Sequence, residues 1–237
     1  MHNLASEKPD LLKELISLWY VEAGKYDVLP LDDRTLAELI ESQPVADIPP
    51  GGIYRYSPGT SELPEFFANE IRGRSFKILA RVDLTDEAEG VLYATGSRFG
   101  GHSLFIKDHR LWYVNNFIGI PPEQQLVSPQ PLEPGAHVLG AEFVKTGHGE
   151  RGEATGTATL WLDDQAIAES QWRTQPGHFS LVGEGLTIGR DSADPVSSEY
   201  PPHWTFSGGT LEVVEVSVGD DAYVDLERDL RAGLARD

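Results

Sequence analysis

The sequence predicts a mainly β protein: two antiparallel sheets packed face to face, a sandwich or jelly roll, with helical segments at both ends of the chain. Two observations carry this. The apolar period is helical over residues 1–26 and becomes twofold from about Phe66, and these two periods separate amphipathic helix from half-buried strand. Short apolar stretches then recur at close spacing with turn residues between them, as in all-β sandwiches. At 237 residues the chain has room for one sizeable all-β domain with an appendage, or for two small domains.

The first element is a helix. Ser6 suits an N-cap, and Glu7, Pro9 and Asp10 suit a first turn, where a missing N–H costs nothing and acids complement the helix dipole. Leu11, Leu12, Leu15, Ile16, Trp19 and Ala23 fall at i, i+3, i+4 spacings and make one apolar stripe, which Gly24 ends. A helix of this length is marginal alone in water, so the stripe is expected to lie on another surface.

Residues 27–62 read as a connector. They hold Pro30, Pro44, Pro49, Pro50 and Pro58 and the Gly51–Gly52 pair, with one short helical stretch around Thr35 to Glu41.

Strands follow. Phe76, Ile78, Ala80, Val82 and Leu84 alternate with Lys77, Leu79, Arg81 and Asp83. Further strands are expected over 90–95, 102–107, 111–115, 137–145, 155–162, 166–170, 186–189 and 210–218. Lys107-Asp108-His109-Arg110 and Asp163-Asp164 supply turn chemistry between neighbouring apolar runs. Residues 223–234 close the chain with a short helix carrying Leu226, Leu230 and Leu234 on one face. No repeat of 20–50 residues is visible.

Charge and composition exclude several functions. With 38 acidic and 19 basic residues the net charge is −19; such a surface repels phosphate backbones and anionic lipid, so neither nucleic acid nor membrane is expected as a partner. The same field is unhelpful for an anionic substrate, and solubility is its plain reading. No apolar run approaches the ~20 residues that cross a bilayer. No basic start with an apolar stretch marks a signal peptide, which favours a cytoplasmic location. There is no cysteine, which rules out disulfides, thiol nucleophiles, Cys-ligated zinc and iron–sulfur clusters.

The sharpest local feature is Ser97-Arg98-Phe99-Gly100-Gly101-His102. Paired glycines allow an unusual backbone path flanked by Arg98 and His102. It reads either as a strand-to-strand turn with its arginine paired to a nearby acid, or as a contact for a small molecule or another domain; the turn is favoured because sandwich turns routinely need glycine. Asp191 and Asp194, with Glu199 nearby, are weak candidates for calcium, which wants six to eight oxygen ligands; turn capping explains them more simply. Asn115, Asn116, Trp112, Tyr113 and Phe117 admit a sugar-stacking surface, but alternation sends half of them inward, and Trp172 and Trp204 read as core or interface. The seven histidines include no HxH or HExxH arrangement, and no ExDxE phrase supports a glycosidase carboxylate pair.

Two stretches resemble a known family. Residues 2–34, HNLASEKPDLLKELISLWYVEAGKYDVLPLDDR, resemble the segment that closes the catalytic domain of large bacterial and actinobacterial arylsulfatases, with Asn3-Leu4-Ala5, the late Trp19 and the tail from Tyr26 to Arg34. Residues 96–119, GSRFGGHSLFIKDHRLWYVNNFIG, together with 183–200 and 206–216, look like the concanavalin A-like, laminin-G-type sandwich that follows the core of those enzymes.

The resemblance implies a concanavalin A-like jelly-roll β-sandwich with an N-terminal helical segment and a short C-terminal helix. It divides the chain into 1–34 as the end of a sulfatase domain, 35–64 as a linker wrapping the surface, and 65–237 as the sandwich. It implies an accessory, structural role on a sulfatase catalytic domain as partner, with Asp32, Asp33 and Arg34 reaching toward that domain or acting as a linker salt bridge.

The family's C/S-x-P-x-R motif, source of its formylglycine nucleophile, has no counterpart here, and its calcium is expected only in the catalytic domain. The chain alone is therefore expected to have no catalytic residues and no sulfatase activity. A homodimer through the exposed N-terminal helix is a further expectation. The alternative is a free-standing carbohydrate- or ligand-binding module of concanavalin A type.

Overall fold

The alternation that starts at Phe76 does not stop at Leu84. The computed structural model describes residues 4–25, 52–65, 68–69, 71–175, 185–192 and 194–219. In it the two strands expected over 76–84 and 90–95 are one, β2 (Ser75–Ser97). The acidic stretch between them, Thr85-Asp86-Glu87, reads as a turn by composition, yet it is the exposed crossing where β2 leaves one sheet and enters the other.

The first half of β2 sits in a sheet ordered β1 (Ile53–Tyr56), β10 (Ser207–Gly219), β2, β6 (Gly135–His148), β7 (Ala154–Leu162) and β8 (Gln165–Thr174). Its second half sits in a sheet ordered β9 (Leu186–Ile188), β2, β3 (Gly100–Lys107), β4 (Arg110–Asn116) and β5 (Gln124–Val127). Every neighbouring pair is antiparallel.

The twofold period decides what lies between the sheets. Phe76, Ile78, Ala80 and Val82 of β2, Leu139, Ala141 and Phe143 of β6, and Val214 and Val216 of β10 meet Leu104, Ile106, Leu111, Tyr113, Leu186 and Ile188 of the second sheet in one buried cluster. Tyr113 stacks on Trp172 of β8 with ring centroids 5.0 Å apart, so the two sheets touch directly. Each large side chain buried there contributes ~1.5–3 kcal/mol. The fold class expected from the sequence is the one observed.

The β3–β4 connection is a two-residue turn with Asp108 and His109 both at positive φ (52° and 58°), the mirror-image geometry that matches strand twist. Two strands escaped the pattern reading: β1, inside the expected connector, and β5. At four residues each, neither shows enough alternation to declare a period.

Clustering divides the chain into two units, Met1–Val45 and Ala46–Asp237. The first contains α1 (Pro9–Lys25). The helix starts at Pro9 rather than after Ser6: Leu4 O accepts from Glu7 N and Lys8 N, which makes residues 4–8 a turn and leaves Pro9 at the first helical position. Leu11, Leu12, Leu15, Ile16, Leu18, Trp19, Tyr20 and Val21 are all exposed, whereas Ala23 is buried. The helices expected over 35–41 and 223–234, and Asp32-Asp33-Arg34, lie outside the described residues.

Candidate ligand-binding site

The outward side of the second sheet is apolar. Val91 and Ala94 of β2, Phe105 of β3 and Val114 of β4 point away from the main core, and residues 190–192 and 194–206 lie across them as a strap. Val196, Tyr200 and Trp204 from the strap complete a second buried cluster. Tyr200 meets Phe105 edge-on at 4.8 Å and stacks on Trp204 at 5.5 Å.

Asp191 ties the strap down. Its carboxylate accepts from the Tyr200 hydroxyl (2.5 Å), Val196 N (2.9 Å) and Ser192 N (2.7 Å), and the Tyr200 hydroxyl is also hydrogen-bonded to Ser103 Oγ of β3 (2.8 Å). Burial raises the Asp191 carboxyl above its ordinary value, and the three donors oppose that rise. Burial, and then the charge on Asp191, push the Tyr200 phenol upward.

Where the strap meets the rim of the sandwich it leaves a cavity of about 540 Å³, within the ~300–1,000 Å³ that small-molecule sites occupy. One wall is Arg98, in the turn between β2 and β3. The second is Asn116 with Gly119, Ile120, Pro121 and Glu123 in the β4–β5 loop, and the third is Asp194, Pro195, Ser197, Ser198 and Pro202 of the strap.

The polar groups are held firmly. Arg98 Nε donates to Asp194 Oδ2 at 3.2 Å and forms an ion pair with the same carboxylate, 2.9 Å from Oδ1. Asn116 Nδ2 donates to the carbonyls of Arg98 and Val196 at 3.0 Å each, and its Oδ1 accepts from Gly119 N at 2.9 Å, so one asparagine joins all three walls. Glu123 accepts from the Ser197 hydroxyl (2.6 Å) and from Ser198 N (2.8 Å). Proline and isoleucine surfaces alternate with these groups. Such a wall offers hydrogen bonds at its edges and apolar contact between them.

The turn that carries Arg98 depends on glycine. Gly101 sits at φ +156°, and a Cβ there would stand 2.2 Å from Thr95 O across the β2–β3 ladder. The sequence reading placed Arg98 and His102 together; the structure separates them. Arg98 faces the cavity, with its side chain 69% exposed.

His102 lies in the core between the sheets, hydrogen-bonded through Nδ1 to Tyr113 Oη at 2.9 Å and edge-on to Phe76. Burial pushes its pKa down to about 3, so it is neutral in the fold. The sign of alternation explains the split: Ser103 and Phe105 point outward on β3, and His102 points inward with Leu104.

Asp191 and Asp194 also part company, the first serving the strap and the second the cavity. Among the described residues no three His, Asp or Glu side chains gather in a geometry that could hold a metal ion. Trp112 is taken up by packing: it stacks on Phe105 at 5.7 Å beneath Lys107, which pairs with Glu199 at 2.8 Å.

Glu123, Ser197 and Ser198 are polar cavity residues that the sequence does not single out. They stand in no motif, and only the folding of the strap against the β4–β5 loop brings them together.

No known family profile matches the chain, and no curated protein matches its sequence. Solved structures do resemble it. A sialidase CBM40 from Ruminococcus gnavus bound to α2,3-sialyllactose is 13% identical, over 76% of this chain and 97% of that one, with a TM-score of 0.47. Domains LG4–5 of the mouse laminin α1 chain are 13% identical over 73% of this chain and 41% of that one, with a TM-score of 0.42. The Caenorhabditis elegans galectin LEC-6 is 12% identical over 70% and 96%, with a TM-score of 0.38. At such identities the likeness concerns the fold alone.

Proposed function

We propose that this chain is a binding module of concanavalin A-like fold that takes a saccharide-sized ligand in the rim cavity. The observation that carries this is the cavity's construction. Three separately folded segments are fixed around one opening by Asn116, and they line it with both hydrogen-bonding and apolar groups. Preformed polar groups of this kind bind with little ordering cost, as sugar recognition requires. Calorimetric titration of the intact chain with a panel of oligosaccharides tests the reading. Saturable binding is expected, and Ser198→Trp, which fills the opening from its exposed edge, removes it. A panel without a binder, or binding that the plug leaves untouched, overturns the proposal.

A second reading is favoured by α1. Eight large apolar side chains exposed on one helix are a surface built to be covered, and the arylsulfatase resemblance of residues 2–34 supplies the cover, a sulfatase catalytic domain. On this reading the sandwich is an accessory unit of a larger enzyme. The coding sequence upstream decides it: an in-frame C/S-x-P-x-R supports the accessory role, and its absence removes it.

A further inference from the structure

Resting on the reading that the rim cavity binds a saccharide, we infer that its ligand is a neutral, hydroxyl-rich sugar rather than an acidic one, and that the Arg98–Asp194 pair sets this choice. Arg98 Nε donates to one oxygen of Asp194 and lies within ion-pair distance of the other, while the guanidinium sits over the Phe99 ring at 5.3 Å. Among the described residues no acceptor takes Nη1 or Nη2, so four N–H donors of this cavity-lining guanidinium remain for a ligand. Beside them stands the Asp194 carboxylate, an acceptor-only group. A donor edge next to an acceptor matches two adjacent hydroxyls of a sugar ring, one accepting from Nη and the other donating to the carboxylate.

An acidic ligand meets a different balance. To pair with Arg98 it must compete with Asp194, which already neutralises the guanidinium at contact distance. The cavity also contains Glu123, whose two oxygens are taken by Ser197 and Ser198 N but whose negative charge remains. One guanidinium therefore faces two carboxylates, within a chain of net charge −19. A third negative charge is disfavoured locally and on approach. The Ser198 hydroxyl, which makes no hydrogen bond among the described residues, adds a neutral cavity-lining group able to donate or accept.

The test compares neutral oligosaccharides with uronic, sialylated and sulfated ones, by calorimetry on the intact chain and on two variants. The wild type is expected to bind at least one neutral sugar about tenfold or more tightly than any acidic one, the factor that a single good polar contact supplies. Asp194→Asn removes the negative charge and replaces one acceptor oxygen with an NH2 donor, so neutral binding weakens about tenfold while acidic binding strengthens. Arg98→Lys keeps the charge but loses the fork, and it weakens neutral binding by a similar factor. Wild-type preference for acidic sugars, or an Asp194→Asn variant with unchanged selectivity, overturns this inference alone. A wild type that binds neither class overturns the cavity reading beneath it.

Discussion

Removing the Asp191 carboxylate should release the strap that forms one wall of the cavity. In Asp191→Ala three donors lose their acceptor, and their costs differ. Val196 N is buried with no substitute, a loss of ~1–3 kcal/mol. The Tyr200 hydroxyl keeps Ser103, so its loss is partial, and Ser192 N lies close enough to solvent to recover most of its bond. Relief of the buried charge offsets some of this. We expect a net loss of about 2 kcal/mol, which for a urea m-value of about 2 kcal/mol/M moves the midpoint down by about 1 M.

Urea titration followed by tryptophan emission reads this, because Trp204 stacks on Tyr200 and leaves its apolar site when the strap lifts. Asp191→Asn separates charge from shape. The folded carboxyl sits above its ordinary 3.8. Its contribution is therefore complete below that value and is lost as pH rises through the raised one. Asp191→Asn should gain on the wild type as pH rises from 3.8 through the raised value. A midpoint shift below about 0.5 M for Asp191→Ala, or a pH difference of opposite slope, refutes the anchoring role.

Three further outcomes follow from the packing. His102 is held neutral with its pKa near 3, so its contribution is full above the ordinary 6.5 and is lost as pH falls. Stability should drop by about 2 kcal/mol from this group between pH 7 and 5, an effect that urea midpoints would show flattened in His102→Gln. Gly101→Ala places a Cβ against Thr95 O and demands φ +156° of an alanine, and is expected to cost about 1–3 kcal/mol by thermal melting. Phe143→Ala empties a fully buried site in the main core and should cost about 3–5 kcal/mol by the same measurement.

The sandwich was legible because its signal is repeated. The alternation from Phe76, the Asp108-His109 turn and the apolar runs of β3, β4, β6 and β10 each carry the same period, and agreement among many short elements outweighs ambiguity in any one. What was not legible has particular physical causes. Thr85 to Glu89 has turn composition but strand conformation, because only the other sheet tells the chain to continue. The cavity was half visible. Arg98 stood out through its glycines, but its partner Asp194 lies 96 residues away, and Glu123 and Ser197 are 74 residues apart. Proximity in sequence joined Arg98 to His102, whereas alternation sends them to different places. Local chemistry can nominate a residue, and the register of the sheet decides which way it faces.

The location of the bound sugar tests the proposed function most directly. In a ¹H–¹⁵N titration of the intact chain with the best neutral binder, the amides of Gly119 and Ser198 and the Arg98 Nε–H should shift along saturating curves, while the indole N–H groups of Trp112 and Trp204 stay in place. Saturating shifts at those indoles, with the rim amides unmoved, would put the ligand on the strap's aromatic face and contradict the cavity as the binding site.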